Sequence, residues 1–206
     1  MLKRKTKDHN GVSRPEHNGK NLTIQSQAAS TVDTTYTTNR TPKTGLPSLG
    51  SQIILCSNCE LCNGLEKPLD RKLFKAKLPK GLYLFVDETP NDIESVVGEP
   101  MTGSVGSYFK TFISPLLPPE KYLVVNQVVC YTETEKVTQA QRKACFQNFE
   151  LVVNTIKPKL IFALGSGVSK FLTKQHINHI QLPNKYEIFM SDLAKARTKL
   201  LLQKHV

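Results

Sequence analysis

The sequence predicts an α/β domain built on a mainly parallel sheet of four strands. Two observations carry that expectation. Short apolar runs, Leu82–Val86, "KYLVVNQVVC" and "KLIFALG", alternate with stretches of helical period. The segments between them are long enough for crossover helices, which parallel neighbours require.

The first run, "KGLYLFVDE", reads as a buried strand over Leu82–Val86. It leads into a loop dense in Gly, Pro and acidic residues, the composition of a ligand-facing loop. From Gly103, Val105, Phe109 and Phe112 share a helical side. A Val-rich strand follows, ending near Cys130. Thr138 with Gln141 three positions on is a capping-box signature. Cys145, Phe149, Val152, Val153 and Ile156 then recur on one helical face, and Lys157-Pro158 stops that helix. "KLIFALG" is the third strand, and Gly165 turns into a helix over about Val168–Thr173. "YEIFM" is assigned as the fourth strand, and Ser191 caps a basic amphipathic helix that follows.

The chain has 206 residues, five cysteines and a net charge of +11. Residues 1–50 show no period of 2 or 3.6 and are rich in Ser, Thr, Asn, Gly and Pro, so they read as a disordered basic tail before a domain over 51–206. The tail carries eight basic against three acidic residues, and the remainder 20 against 14. Both parts therefore favour a polyanionic partner, nucleic acid first. No signal-peptide pattern and no membrane-length apolar run is present, so the expected setting is intracellular, cytoplasmic or nuclear, with no membrane partner. An odd cysteine count in that setting argues against a disulfide framework.

Cys56-x-x-Cys59 is a two-thiolate clip on one turn. Cys130 ends a strand and Cys145 lies early in the next helix, so four thiols from three elements can converge on one centre. By spacing alone that centre is zinc or iron–sulfur, or the thiols are simply buried. Cys62 is a fifth thiol close by.

The loop and the cysteines together resemble the iron–sulfur (family four) uracil-DNA glycosylases. That family has C-x-x-C near the start of its domain. Its loop has the form G-E-x-P-G-x-x-E-D-x-x-G-x-P-F-x-G-x-x-G, followed by a strand ending N-x-x-x-C and a later cysteine. Here the loop reads Asp87-Glu88-Thr89-Pro90-Asn91, then Glu94-Ser95, Gly98, Pro100-Met101, Gly103 and Gly106. The strand supplies Asn126 and Cys130, the helix supplies Cys145, and "PKLIFALG" is similar to a further family strand.

The resemblance implies a three-layer α/β/α sandwich with a 4Fe–4S cluster on Cys56, Cys59, Cys130 and Cys145, zinc being the alternative. It also implies a pocket for a base flipped from DNA, single-stranded or duplex. Asp87, Thr89, Pro90, Asn91, Met101 and Asn126 would line that pocket, and Glu88 and Asn126 would carry the chemistry. Asn126 offers both a donor and an acceptor to a base edge.

The departures fall on the chemistry. Asp87 and Asn91 stand where the family has Gly, Ser95 where it has Asp, and Met101 where it has a stacking Phe. Asn at position 91 tolerates positive φ better than most residues. The family's His-Pro-Ser segment after its last strand has no counterpart; the sequence places that position near Met190-Ser191-Asp192, and reads His176 and His179 as solvated.

Three functions follow as expectations. The first is a weakly catalytic or non-catalytic DNA-binding relative in repair or replication. Its Lys195, Arg197, Lys199 and Lys204 would contact phosphates, and its tail would reach replication or repair proteins. The second is an active glycosylase hydrolysing the N-glycosidic bond of uracil or another altered base. The third is a protein-interaction scaffold.

Overall fold

The computed structural model describes residues 59–61, 80–132 and 136–206. The expected tail, Cys56 and Cys62 lie outside the described residues. Chain order is β1 (Tyr83–Asp87), α1 (Asp92–Val97), α2 (Gly103–Ile113), a 3-10 turn at Pro119–Lys121, β2 (Tyr122–Asn126), α3 (Gln139–Ile156), β3 (Leu160–Leu164), α4 (Ser166–Lys174), β4 (Ile180–Leu182), α5 (Lys185–Met190) and α6 (Asp192–His205).

The four strands form one sheet in the order β2-β1-β3-β4, and all neighbours run parallel. Its central strands are covered on both faces, so they read as unbroken apolar runs. On one face Phe85, Val124, Phe162 and Leu182 pack with Phe109 and Ile113 of α2, Ile188 of α5 and Leu202 of α6. On the other, Leu84, Val86, Val125, Ile161 and Ala163 pack with Phe149, Val152 and Ile156 of α3 and Phe171 and Leu172 of α4. Helices on both faces of a parallel sheet make the expected α/β architecture.

Local signals hold where they rest on caps. Thr138 accepts from the Gln141 N–H and Gln141 reaches back to the Thr138 N–H, which starts α3. Lys157 ends it in the left-handed region. Ser191 accepts from Ala194 N–H at the start of α6.

The fourth-strand assignment is corrected. "YEIFM" is helical, as α5, and the strand is the three-residue Ile180–Leu182 before it. Asn184 and Glu187 form a reciprocal capping box that commits the next residues to a helix. The apolar residues at 186, 188 and 190 imitate a strand, but only Ile188 is buried; Tyr186 and Met190 are exposed. The real β4 has a polar centre, Gln181, and three residues are too few to show a period.

One glycine fixes how the loop after β1 joins α2. A Cβ on Gly106 would stand 2.4 Å from the Met101 carbonyl carbon, where no side chain fits. Gly106→Ala is therefore expected to destabilise the protein by about 1–3 kcal/mol through overpacking, read as a lowered urea midpoint at unchanged slope.

Candidate base pocket

The carboxyl ends of β1 and β3 open into a cleft of about 730 Å³. Crevices in open α/β sheets bind ligands on this side. Asp87, Glu88, Thr89, Pro90 and Asn91 from the loop line it, with Gly165–Gly167 after β3 and Asn184–Tyr186 after β4.

Asn91 is the N-cap of α1, with φ −83°, so its expected role as a stand-in for a positive-φ glycine is corrected. Its side chain accepts from the Glu94 N–H (2.8 Å), and its own N–H donates to Glu94 Oε2 (3.0 Å). The positive φ falls instead on Met101, at 55°. Met101 is buried with Phe85 and Phe109 in the core and does not line the cleft, so its assignment to the pocket lining is corrected as well. The Met101 N–H donates to Glu94 Oε1 (2.9 Å), which helps hold this backbone in place.

Glu94 is 1% exposed and faces a second buried charge. Lys185, the first residue of α5, places Nζ 3.0 and 3.2 Å from the Glu94 oxygens and 2.8 Å from Asp87 Oδ2. Asp87 Oδ1 accepts the Glu88 N–H at 2.9 Å. Asp87 thus does not point away from the cleft; it lines it and is countered by Lys185. Burial pushes the Asp87 carboxyl up, and the Lys185 ammonium opposes that push. Burial alone lowers Lys185, but Asp87 and Glu94 together hold it above the usual lysine range. The ammonium stays charged at neutral pH.

Glu88 is held from α3. Arg142 donates to Glu88 Oε1 and to Gln127 Oε1, and burial lowers the guanidinium from its usual value. Gln127 N–H donates to Asp87 O (2.7 Å), Val128 N–H to Glu88 O (3.0 Å), and Thr89 Oγ1 to Cys130 O (3.0 Å). The pocket loop is laced to the chain leaving β2. Arg142 and Lys185 are the site residues that sequence reasoning missed. Arg142 carried a signal, because it sits three residues before Cys145 on the buried face of α3. Lys185 carried none while "YEIFM" was read as a strand.

Asn126 stands in register beside Asp87 on the neighbouring strand. It is 5% exposed, and neither amide atom has a partner among the described residues. It does not line the cleft directly. A buried amide with both ends open calls for an explanation, and a ligand is one.

The cysteines are only partly brought together. Cys130 and Cys145 are buried, and Cys145 Sγ accepts from Val129 N–H (3.4 Å) and Asn148 Nδ2 (3.8 Å). Gln141 Nε2 donates to Glu60 (3.0 Å), docking the Cys59 turn one helical turn before Cys145. Among the described residues, no three His, Cys, Asp or Glu side chains form a metal-binding group.

The four basic residues of α6 do not make one stripe. Lys195 bonds Asp192 (2.8 Å) and lies over the Tyr108 ring, and Lys199 lies over Phe112. Arg197 and Lys204 are exposed on another side of the helix. The reading of His179 as solvated is corrected. It is partly buried, with Nδ1 donating to Ile177 O and Nε2 accepting from Ser169 Oγ, both at 2.8 Å. His176 is exposed, as expected.

The family model of the uracil DNA glycosylase superfamily matches residues 79–202, which hold every element from β1 into α6. The chain belongs to that superfamily. No curated protein matches this superfamily member. Among solved structures it is similar to SMUG2 of Pedobacter heparinus, at 14% identity over 61% of this chain and 73% of that one, with a TM-score of 0.45. Because β4 ends at Leu182, the segment that follows the last strand is Pro183-Asn184-Lys185, not Met190–Asp192. No described helix is long and apolar enough to cross a membrane.

Lys185→Met would leave Asp87 and Glu94 as buried carboxylates without their cation. A loss of about 3–5 kcal/mol is expected in denaturant unfolding at pH 7. The sign with pH follows from the raised Lys185 pKa. Its contribution is complete below the ordinary lysine range and lost as pH rises through the higher folded value. The wild-type advantage over the variant should therefore persist at neutral pH and be lost in alkali as the Lys185 ammonium deprotonates.

Proposed function

We propose that this chain binds DNA and receives a flipped base in the cleft, with hydrolysis of the uracil N-glycosidic bond slow or absent. Superfamily membership supports the DNA substrate. The observation that carries the reading is the polar floor at the strand ends. Asn126, its amide open, is the register partner of Asp87, and Asp87, Glu88 and Asp92 line the cleft against one basic side chain, Lys185.

Asn126 does not line the cleft, so a base edge read by its donor and acceptor would have to enter beside Asp87, its register partner. Breaking the bond puts negative charge on the departing base, and donors aimed at that charge supply much of the rate. A cleft lined by carboxylates works against it. Glu88, held by Arg142, would orient water in this reading. Active excision is the second reading, favoured by the presence of Lys185 itself.

A 4Fe–4S cluster on Cys56, Cys59, Cys130 and Cys145 belongs to the same reading. The buried thiols of Cys130 and Cys145, and the N–H groups aimed at Cys145 Sγ, fit a thiolate centre. Such a cluster would supply a redox-active cross-link between Cys56 and Cys59, the segment after β2 and α3. Purified protein is expected to contain iron and sulfide and to show brown visible absorbance, lost in Cys145→Ser. A colourless zinc protein would contradict this.

The test of function incubates the protein with single-stranded and duplex uracil-containing DNA. Binding is expected to weaken steeply with salt, as phosphate contacts require, with few abasic sites formed. Robust turnover would overturn the weakly catalytic reading. No binding at low salt would leave only the scaffold.

A further inference from the structure

We propose that Lys185 is the pocket's latent electrophile and that Asp87 quenches it, so that one carboxylate holds back base excision. The inference rests on the base-pocket reading above and names the residue that limits it.

Lys185 is the single Lys, Arg or His among the residues lining the cleft. Its ammonium has three N–H groups. Three carboxylate oxygens stand around it: Glu94 Oε1 and Oε2 at 3.0 and 3.2 Å, and Asp87 Oδ2 at 2.8 Å. The ammonium is thus paired with a carboxylate on the cleft side as well as behind. The two partners differ in position. Glu94 does not line the cleft and holds the ammonium from behind, where it also accepts the Asn91 and Met101 N–H groups. Asp87 lines the cleft and pairs with the ammonium on that side through Oδ2, 2.8 Å away. It also stands in register with Asn126, whose amide is open at both ends among the described residues.

Charge decides the consequence. Lys185 with Glu94 is neutral; an ionised Asp87 makes the group net negative. Hydrolysis breaks the C1′–N1 bond and leaves its electron pair on the base. Water oxygen bonds C1′, the water proton passes to the Glu88 carboxylate and on to solvent, and the base anion takes a proton from solvent as it departs. A net negative floor opposes that anion. A Lys185 N–H released toward the cleft would stabilise it. Position 185 can serve because the capped start of α5 fixes it: Asn184 closes the box with Glu187. Gly165 lets that turn approach, since a Cβ there would stand 3.1 Å from Asn184 Cβ.

Single-turnover excision of uracil from a single-stranded oligonucleotide tests this, in wild type, Asp87→Gly, Asp87→Asn and Asp87→Gly/Lys185→Met. Thermal unfolding and oligonucleotide binding are measured on each. Asp87→Asn keeps an acceptor for the Glu88 N–H and removes only the charge, so it stands in if the glycine variant does not fold. Excision is expected to rise about 100-fold on removing the carboxylate, the scale of one oxyanion donor, and to fall back when Lys185 is also replaced. A folded, DNA-binding Asp87 variant no faster than wild type overturns the proposal. So does a gain that survives loss of Lys185. Failure of the wild type to bind the oligonucleotide overturns the base-pocket reading beneath it, which binding reports separately from rate.

Discussion

The ion cluster of Asp87, Lys185 and Glu94 is the interaction on which the pocket depends. It joins three parts of the chain that share no local reason to meet: the end of β1, the first turn of α1 and the first residue of α5. Buried ions are costly unless each is paired and its remaining sites are filled. Here each ion is paired, and the sites of Glu94 are filled more fully than those of Asp87. Glu94 accepts two backbone N–H groups besides the ammonium, and Asp87 accepts one. The cost of burial becomes a constraint on geometry, because any shift of α5 or of the loop would strand a charge.

A second set of contacts works in the same way from the other face of the sheet. Arg142 reaches from α3 to Glu88 and Gln127, and Thr89 is tied to the Cys130 carbonyl. The helix that holds Glu88 therefore also carries Cys145, and the segment after β2 that holds Thr89 carries Cys130, beyond the strand it was expected to end. Pocket loop and cysteine region share one framework.

The pocket loop shows how a family-like pattern can keep its spacing while its residues change work. Asn91 at a glycine position became a helix cap. Met101 at an aromatic position became core, with the positive φ that Asn91 does not need. Glu94 retained its acid and became the anchor of both. Asp87, read from sequence as adverse negative charge, is adverse only in part, because a cation meets it.

The sequence by itself determined the α/β class, three of the four strands, the capped α3 and α6 helices and the loop that lines the cleft. Those depend on local period, on caps three residues apart and on Gly–Pro punctuation, all readable within a short window. Only the tertiary structure decided where the last strand lies, which partner Asp87 has and what holds Glu88. A three-residue strand has no period to read, and Glu94 and Lys185 lie 91 residues apart. Nothing local distinguishes a lysine that starts a surface helix from one that buries its charge between two acids. The fold brings them together, and the chemistry of the cleft follows from that meeting.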